Sequence, residues 1–216
     1  MGTTIVRAML VIFFASVSAF ATPQIPDILV YEGREYPIRA EILDDYFKRF
    51  PQRNPKPADD WCSALWRGYL ARFETVDGRI FLKDIFINVC SSSSSTSALE
   101  KVVPNGERLF VDWYSDLLDS GYGENAEDPY SLESFEAYEN YTFFEVEKGT
   151  IRKVKHFNNK EYRTFKKRQF EAYKKTKDYA STSRKMLEDR PRMTKSDVET
   201  YIQDSIFFYT KTFLVK

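Results

Sequence analysis

Histidine is nearly absent from this chain, because His156 is the only one among 216 residues. A catalytic triad, a histidine-based metal cluster or a histidine general base would all have to use that single side chain. His156 follows Lys155 at the end of a predicted strand, a position that favours a surface or packing role. Phosphate-binding and nucleophile-elbow glycine motifs are also missing. The sequence therefore predicts no catalytic residue and no cofactor.

Cysteine is almost as scarce, with only Cys62 and Cys90 in the chain. They have neither CxxC spacing nor a second pair, which argues against a zinc site, so we predict no bound metal. Whether they form a disulfide depends on the compartment and on a fold that brings them together.

Long hydrophobic runs are confined to the N-terminus. Arg7 is followed by an apolar run from Ala8 to Val17, and Ala19-Phe20-Ala21 has the A-x-A form of a signal-peptidase site. The run is short for a membrane span. We therefore predict a signal peptide over residues 1–21, cleavage near Ala21 and an exported protein, periplasmic or secreted. An uncleaved N-terminal anchor is the alternative.

Glycine is limited to 8 positions, and one of them organises the middle of the chain. Asp77-Gly78 stands between alternating apolar residues within Ala64–Ile87, which is the strongest short signal for a two-residue hairpin turn. The register set by this turn predicts the cross-strand pairs Phe73–Leu82 and Tyr69–Phe86, and a core-facing row of Tyr69, Ala71, Phe73, Ile80, Leu82 and Phe86.

The same register brings Cys62 and Cys90 near each other at the open end of the hairpin. A disulfide requires Cα atoms within about 7 Å, and export supplies the oxidising compartment. The bridge would close a loop of about 28 residues, for a stabilisation of roughly 3–4 kcal/mol. We predict this disulfide, with two reduced, buried cysteines as the alternative.

Similar turn and periodicity signals mark the remaining elements. They predict hairpins over Ile28–Ile38 and Phe135–Phe157, a strand over Arg108–Leu118, and helices over Ile42–Phe50, Asn159–Lys177 and Ser181–Asp189. A capping box from Ser196 to Glu199 predicts the start of a last helix, while Ile206–Val215 fits helix and strand equally. The predicted fold class is α+β, with an antiparallel sheet built from long hairpins.

The net charge of zero conceals two oppositely charged halves. Residues 22–149 carry 13 basic and 24 acidic side chains, whereas residues 150–216 carry 18 and 8. We therefore predict an acidic, β-rich domain over 22–157 and a basic helical segment over 158–216. The basic tail suits contact with its own acidic body, a partner protein, an anionic membrane surface or nucleic acid. Export argues against nucleic acid.

Two aromatic clusters are the candidate binding residues: Trp66, Arg67 and Tyr69, then Asp112, Trp113 and Tyr114. Arg67 falls on the apolar row, where a guanidinium needs an acid or several carbonyls, unless Gly68 marks a bulge that turns it outward. The second cluster has groups that can stack on a sugar and hydrogen-bond it. A purely structural role is the alternative for the first cluster, and a solvated acidic edge with core aromatics is the alternative for the second.

Several of these segments resemble an uncharacterised family of bacterial proteins. The matching stretches contain the WRGY, LKDI and DWYS motifs and lie at Leu29–Tyr36, Ala64–Tyr69, Ile80–Ile85, Val111–Ser115 and Glu145–Gly149. The resemblance covers most of residues 28–155 and leaves out the signal peptide and the basic tail. It implies a bacterial α+β domain and carries no activity, cofactor or catalytic residue.

The sequence favours an exported bacterial binding or interaction protein without catalytic activity, such as an inhibitor or immunity-type protein of the cell envelope. The reasons are the missing catalytic constellation and the many aromatic side chains, and the expected partner is an envelope protein. The alternative is a hydrolase that acts on an envelope saccharide through Asp112, Asp116 and Asp119, because paired carboxylates catalyse glycoside hydrolysis. Loss of turnover with intact folding in Asp112→Asn or Asp116→Asn would select the hydrolase.

Overall fold

A computed structural model describes residues 24–55, 62–90, 95–123 and 138–216. The predicted signal peptide lies outside these ranges. Within them, no helix is both long enough and apolar enough to cross a membrane.

The described residues form one mixed, mostly antiparallel sheet and a set of helices, which confirms the α+β prediction. The strands are β1 (Asp27–Tyr31), β2 (Arg34–Ile38), β3 (Leu70–Val76), β4 (Arg79–Ile87), β5 (Thr96–Ser97), β6 (Leu109–Phe110), β7 (Asp116–Tyr122), β8 (Asn140–Glu147) and β9 (Thr150–Asn158). The helices are α1 (Asp44–Arg49), α2 (Leu99–Val102), α3 (Asn159–Tyr173), α4 (Lys177–Asp189), α5 (Lys195–Asp204) and α6 (Ile206–Tyr209). The strand order is β2-β1-β3-β4-β9-β8-β7, and β5 and β6 pair with β4.

All three predicted hairpins are present, although residues 135–137 of the third lie outside the described ranges, and their turns explain why. Each turn has two residues with positive φ: Glu32-Gly33, Asp77-Gly78 and Lys148-Gly149. This is the backbone that a type I′ turn requires. The tips of the second and third hairpins meet, because the amide of Ile80 donates to the carbonyl of Gly149 at 2.8 Å and Ile151 donates to Gly78 at 2.8 Å.

The predicted register of the β3–β4 hairpin holds near the turn and fails near its base. Phe73 pairs with Leu82 as predicted, but Leu70, not Tyr69, pairs with Phe86. The register shifts between Arg72 and Phe73, because Lys83 is an extra residue in β4. The side chains of β4 beyond the shift exchange faces, so Ile85 is fully buried and Phe86, predicted in the core, is only half-buried.

Other boundaries also differ from the prediction. Residues 63–65 form a 3₁₀ turn, so β3 begins at Leu70 and not at Ala64. The strand predicted over 108–118 is two strands, since a turn that begins at Val111 separates β6 from β7. The last long helix is capped by Thr194 and Asp197, two residues before the predicted box. Beyond it, Ile206–Tyr209 is helical.

One face of the sheet packs on the main hydrophobic core, and the other carries the C-terminal helices, which add two smaller buried clusters. Phe144 of β8 packs inside against Tyr31 and Tyr36, with ring centroids 5.2 Å apart in each case. On the outer face, Tyr141 stacks on Tyr162 of α3 at 4.0 Å. The aromatic stripe predicted on this helix is buried throughout, at Tyr162, Phe165, Phe170 and Tyr173. The proposed division into two domains stays a prediction.

The predicted disulfide between Cys62 and Cys90 is present, with Cα atoms 6.1 Å apart. It joins the segment that leads into β3 to the residues that follow β4. The organising hairpin is therefore fixed at its open end by a covalent bond and at its tip by the contacts with the third hairpin.

Candidate binding site

The WRGY segment forms a tight turn that leads into β3. The 3₁₀ turn over residues 63–65 is followed by Gly68, whose amide donates to the carbonyl of Leu65 at 2.9 Å. Gly68 has φ of +78°, a left-handed backbone that glycine adopts without strain. The turn separates its neighbours: Trp66 is 52% exposed, whereas Arg67 and Tyr69 are buried.

Gln24 and Ile25 hold this turn in place. The Gln24 amide donates from Nε2 to the carbonyl of Ser63 at 2.6 Å, and its Oε1 accepts from the amide of Trp66 at 3.1 Å. The amide of Ile25 donates to the carbonyl of Ala64 at 2.8 Å. These contacts fix the backbone that presents the exposed Trp66 indole.

Arg67 takes the buried arrangement that the sequence left open. Its Nη2 donates to Asp27 Oδ1 at 2.9 Å and to the carbonyl of Ile25 at 2.7 Å, and its Nε donates to the carbonyl of Tyr69 at 3.0 Å. The guanidinium also lies 5.6 Å from the centroid of the Tyr69 ring. One acid and two carbonyls thus satisfy the buried charge, as a desolvated guanidinium requires.

Asp27 is the partner that sequence reasoning missed. Its Oδ1 also accepts from the amide of Ala71 at 2.7 Å, and within the described ranges its buried Oδ2 has no hydrogen-bond partner. Burial raises the pKa of Asp27 to about 7, although the nearby Arg67 charge opposes this change. The only sequence signal was an acidic residue at the first position of an apolar strand, and that signal names no partner.

A cleft of about 240 Å³ lies between the WRGY turn and α1. Its lining combines aromatic and polar side chains: Asp44, Phe47, Lys48, Asn54, Trp66, Arg67 and Tyr69. Burial and then the charge of Asp44, which lines this cleft, raise the pKa of Glu41. The arrangement presents the Asp44 carboxylate, the Lys48 ammonium and the exposed Trp66 face to a group that enters from solvent.

The second predicted cluster, Asp112, Trp113 and Tyr114, lies outside the lining of this cleft. Trp113 stacks on Tyr46 of α1 at 5.0 Å and donates from Nε1 to the carbonyl of Ile42 at 2.9 Å. Burial, followed by the charge of Asp116, raises the pKa of Tyr114. Asp112 is exposed. Of the six predicted binding residues, the structure therefore brings Trp66, Arg67 and Tyr69 to one cleft and places the other three outside its lining.

The carboxylates of the hydrolase alternative are engaged within the protein. Asp116 and Asp119 are three residues apart in β7, and Asp116 accepts from the amide of Leu117 at 2.8 Å. Burial raises the pKa of Asp116, and the charge of Asp119 adds to this effect. Asp119 is buried and forms an ion pair with Arg39. No group of acidic, histidine or cysteine side chains suited to a metal occurs in the part of the chain that the structure describes. His156 is exposed, and its Nδ1 lies 2.9 Å from Thr142 Oγ1.

Comparison with known proteins adds no relative to this picture. Neither a family model, nor a curated protein, nor a solved structure matches the chain.

Proposed function

We propose that this chain is an exported bacterial protein that binds a partner protein of the cell envelope without catalysis, in the manner of an inhibitor or immunity protein. The Trp66 cleft is the proposed contact site. The observation that carries this proposal is a half-exposed tryptophan on a backbone held by side-chain and main-chain hydrogen bonds. Tryptophan is enriched among the residues that dominate the energy of protein interfaces.

The size of the cleft favours a protein side chain as its occupant. Small-molecule sites enclose about 300–1,000 Å³, and this cleft, at about 240 Å³, is smaller. A lysine or arginine side chain fits the Trp66 side of the cleft, since the indole face attracts a cation and the Asp44 carboxylate accepts its hydrogen bonds. The charge of Lys48, which also lines the cleft, is paired with Asp45. The disulfide is compatible with the exported location that this function needs.

Capture experiments with envelope extracts test this proposal. The wild-type protein and Phe208→Ala should recover the same partner, because Phe208 is an exposed aromatic outside the cleft lining. Trp66→Ala should lose that partner. On the acidic wall, Asp44→Asn should weaken recovery, whereas the control Asp189→Asn, at an exposed position of α4 outside the cleft lining, should not.

Two results would contradict the proposal. One is equal recovery of the partner by the wild-type protein and Trp66→Ala. The other is hydrolysis of envelope saccharides by the wild-type protein that Asp116→Asn abolishes while the fold stays intact.

A further inference from the structure

A second surface lies away from the Trp66 cleft, at the free side of β9. This strand pairs with β8 along its length, but on its other side it pairs with β4 only where Arg79 meets Thr150. From Lys153 to Asn158 this side pairs with no other strand among the described residues. Backbone amides and carbonyls of β9 therefore face a site where another strand can add.

Helix α3 forms a wall beside this open edge. A groove of about 580 Å³ runs between them, lined by β9 residues from Lys155 onward, by α3 and by Lys216. On the helix side, Lys160, Thr164 and Arg168 recur every four residues, so they form one line along the groove. A strand edge beside a helix is the geometry in which peptides add to a sheet.

The groove is strongly basic. Lys155, Lys160 and Arg168 line it and form no ion pair with an acid in the ranges that the structure describes. Lys155 is held in place, because its Nζ donates to the carbonyl of Val215 at 2.9 Å and lies 4.8 Å from the Phe165 ring centroid. The acidic side chain in the lining, Glu161, accepts a hydrogen bond from the N-cap amide of α3.

We propose that this groove binds an acidic, extended segment of a partner protein as an added strand on β9. An open strand edge alternates hydrogen-bond donors and acceptors, and a peptide backbone complements both. Phosphate groups of lipid or nucleic acid would satisfy only the donors. The basic wall selects acidic side chains. This groove shares no lining residue with the Trp66 cleft, so a test of strand addition here does not depend on the result for the proposed function.

Fluorescence anisotropy with a labelled peptide tests the charge requirement. The probe is a peptide of about eight residues, a common strand length, in which glutamate alternates with valine. Arg168→Glu should weaken its binding by about tenfold or more, since charge reversal replaces attraction by repulsion. Lys167→Glu, the adjacent exposed position outside the groove lining, should change it little.

The same assay tests strand addition from the peptide side, without altering the protein. N-methylation of every second amide removes backbone donors while the charges remain, so one of the two methylation registers should abolish binding. Equal affinity for both methylated peptides would overturn the proposal. Preferential binding to vesicles that contain anionic lipid, or to duplex DNA, with no measurable binding of the acidic peptide, would also overturn it.

Discussion

The buried pair of Arg67 and Asp27 shows how single residues set the shape of the candidate site. The two residues lie 40 positions apart in the chain and meet at 2.9 Å. Arg67 also donates to the carbonyls of Ile25 and Tyr69, so one side chain ties the segment before β1 to the turn before β3. These contacts of Arg67 hold the turn in which the adjacent Trp66 side chain is exposed.

Replacement of Arg67 should destabilise the protein strongly. Arg67→Met leaves the Asp27 carboxylate buried without its counter-charge, and breaking a buried pair in this way costs about 3–5 kcal/mol. Urea unfolding at a pH above the pKa of Asp27 measures the loss. Arg72→Met is the control, because its pair with Glu35 is partly exposed and worth about 1 kcal/mol or less. Equal losses in the two variants would contradict the role assigned to Arg67.

Asp27 should make the stability fall as pH rises. Its pKa is about 7 in the folded protein, and it is near 3.9 in an unfolded chain. Between these values the folded state binds the proton more tightly, so raising the pH lowers the free energy of unfolding. Asp27→Asn cannot titrate at this position. It should therefore reduce the fall in the free energy of unfolding with pH, measured by urea unfolding between about pH 4 and pH 7. Glu41→Gln should also reduce the slope, because burial and then the charge of Asp44 raise the pKa of Glu41. An unchanged slope in Asp27→Asn would refute the assignment.

At the scale of elements, the tip of the third hairpin packs against both the second hairpin and the turn after β6. Gly149 lies where β9 begins, with φ of +70°. A Cβ at this position would lie 2.6 Å from the carbonyl oxygen of Val111. The third hairpin thus approaches the turn after β6 so closely that only glycine fits.

Gly149→Ala should therefore be far more damaging than Gly33→Ala. Both positions have left-handed φ, which costs an alanine about 1–2 kcal/mol. At Gly33 no atom lies within 4 Å of the added carbon, whereas at Gly149 it meets the Val111 backbone. Overpacking adds about 1–3 kcal/mol at the second site. Thermal or urea unfolding of the two variants gives the difference, and equal midpoints would contradict the close approach of Gly149 to Val111.

Local chemistry explains which elements the sequence could predict. Three turns were predicted correctly because each needs only two residues that accept positive φ. The aromatic stripe of α3 was recognised because its spacing is local. The extra residue at Lys83 was not, since nothing nearby distinguishes a bulge from regular alternation. The parallel pairing of β1 with β3 and the Asp27–Arg67 contact join distant segments. No local pattern encodes such partners.

At the scale of the whole molecule, one covalent bond supplements the packing. Removing it in Cys62→Ser/Cys90→Ser should lower the free energy of unfolding by about 3–4 kcal/mol, because the closed loop restricts the unfolded chain. Urea unfolding with and without reductant measures this. Reduced wild-type protein should match the double variant in reductant. A midpoint in the wild-type protein that does not respond to reductant would contradict a stabilising bridge.

The same bond determines what a single protease cut does to this molecule. Asp77 is exposed at the turn, the place on the hairpin that a protease reaches first. A single cut there leaves β3 and β4 covalently joined through Cys62 and Cys90, and the contacts of Ile80 and Gly78 with the third hairpin still hold the severed ends. The nicked molecule would stay whole on a non-reducing gel and separate into two fragments only after reduction.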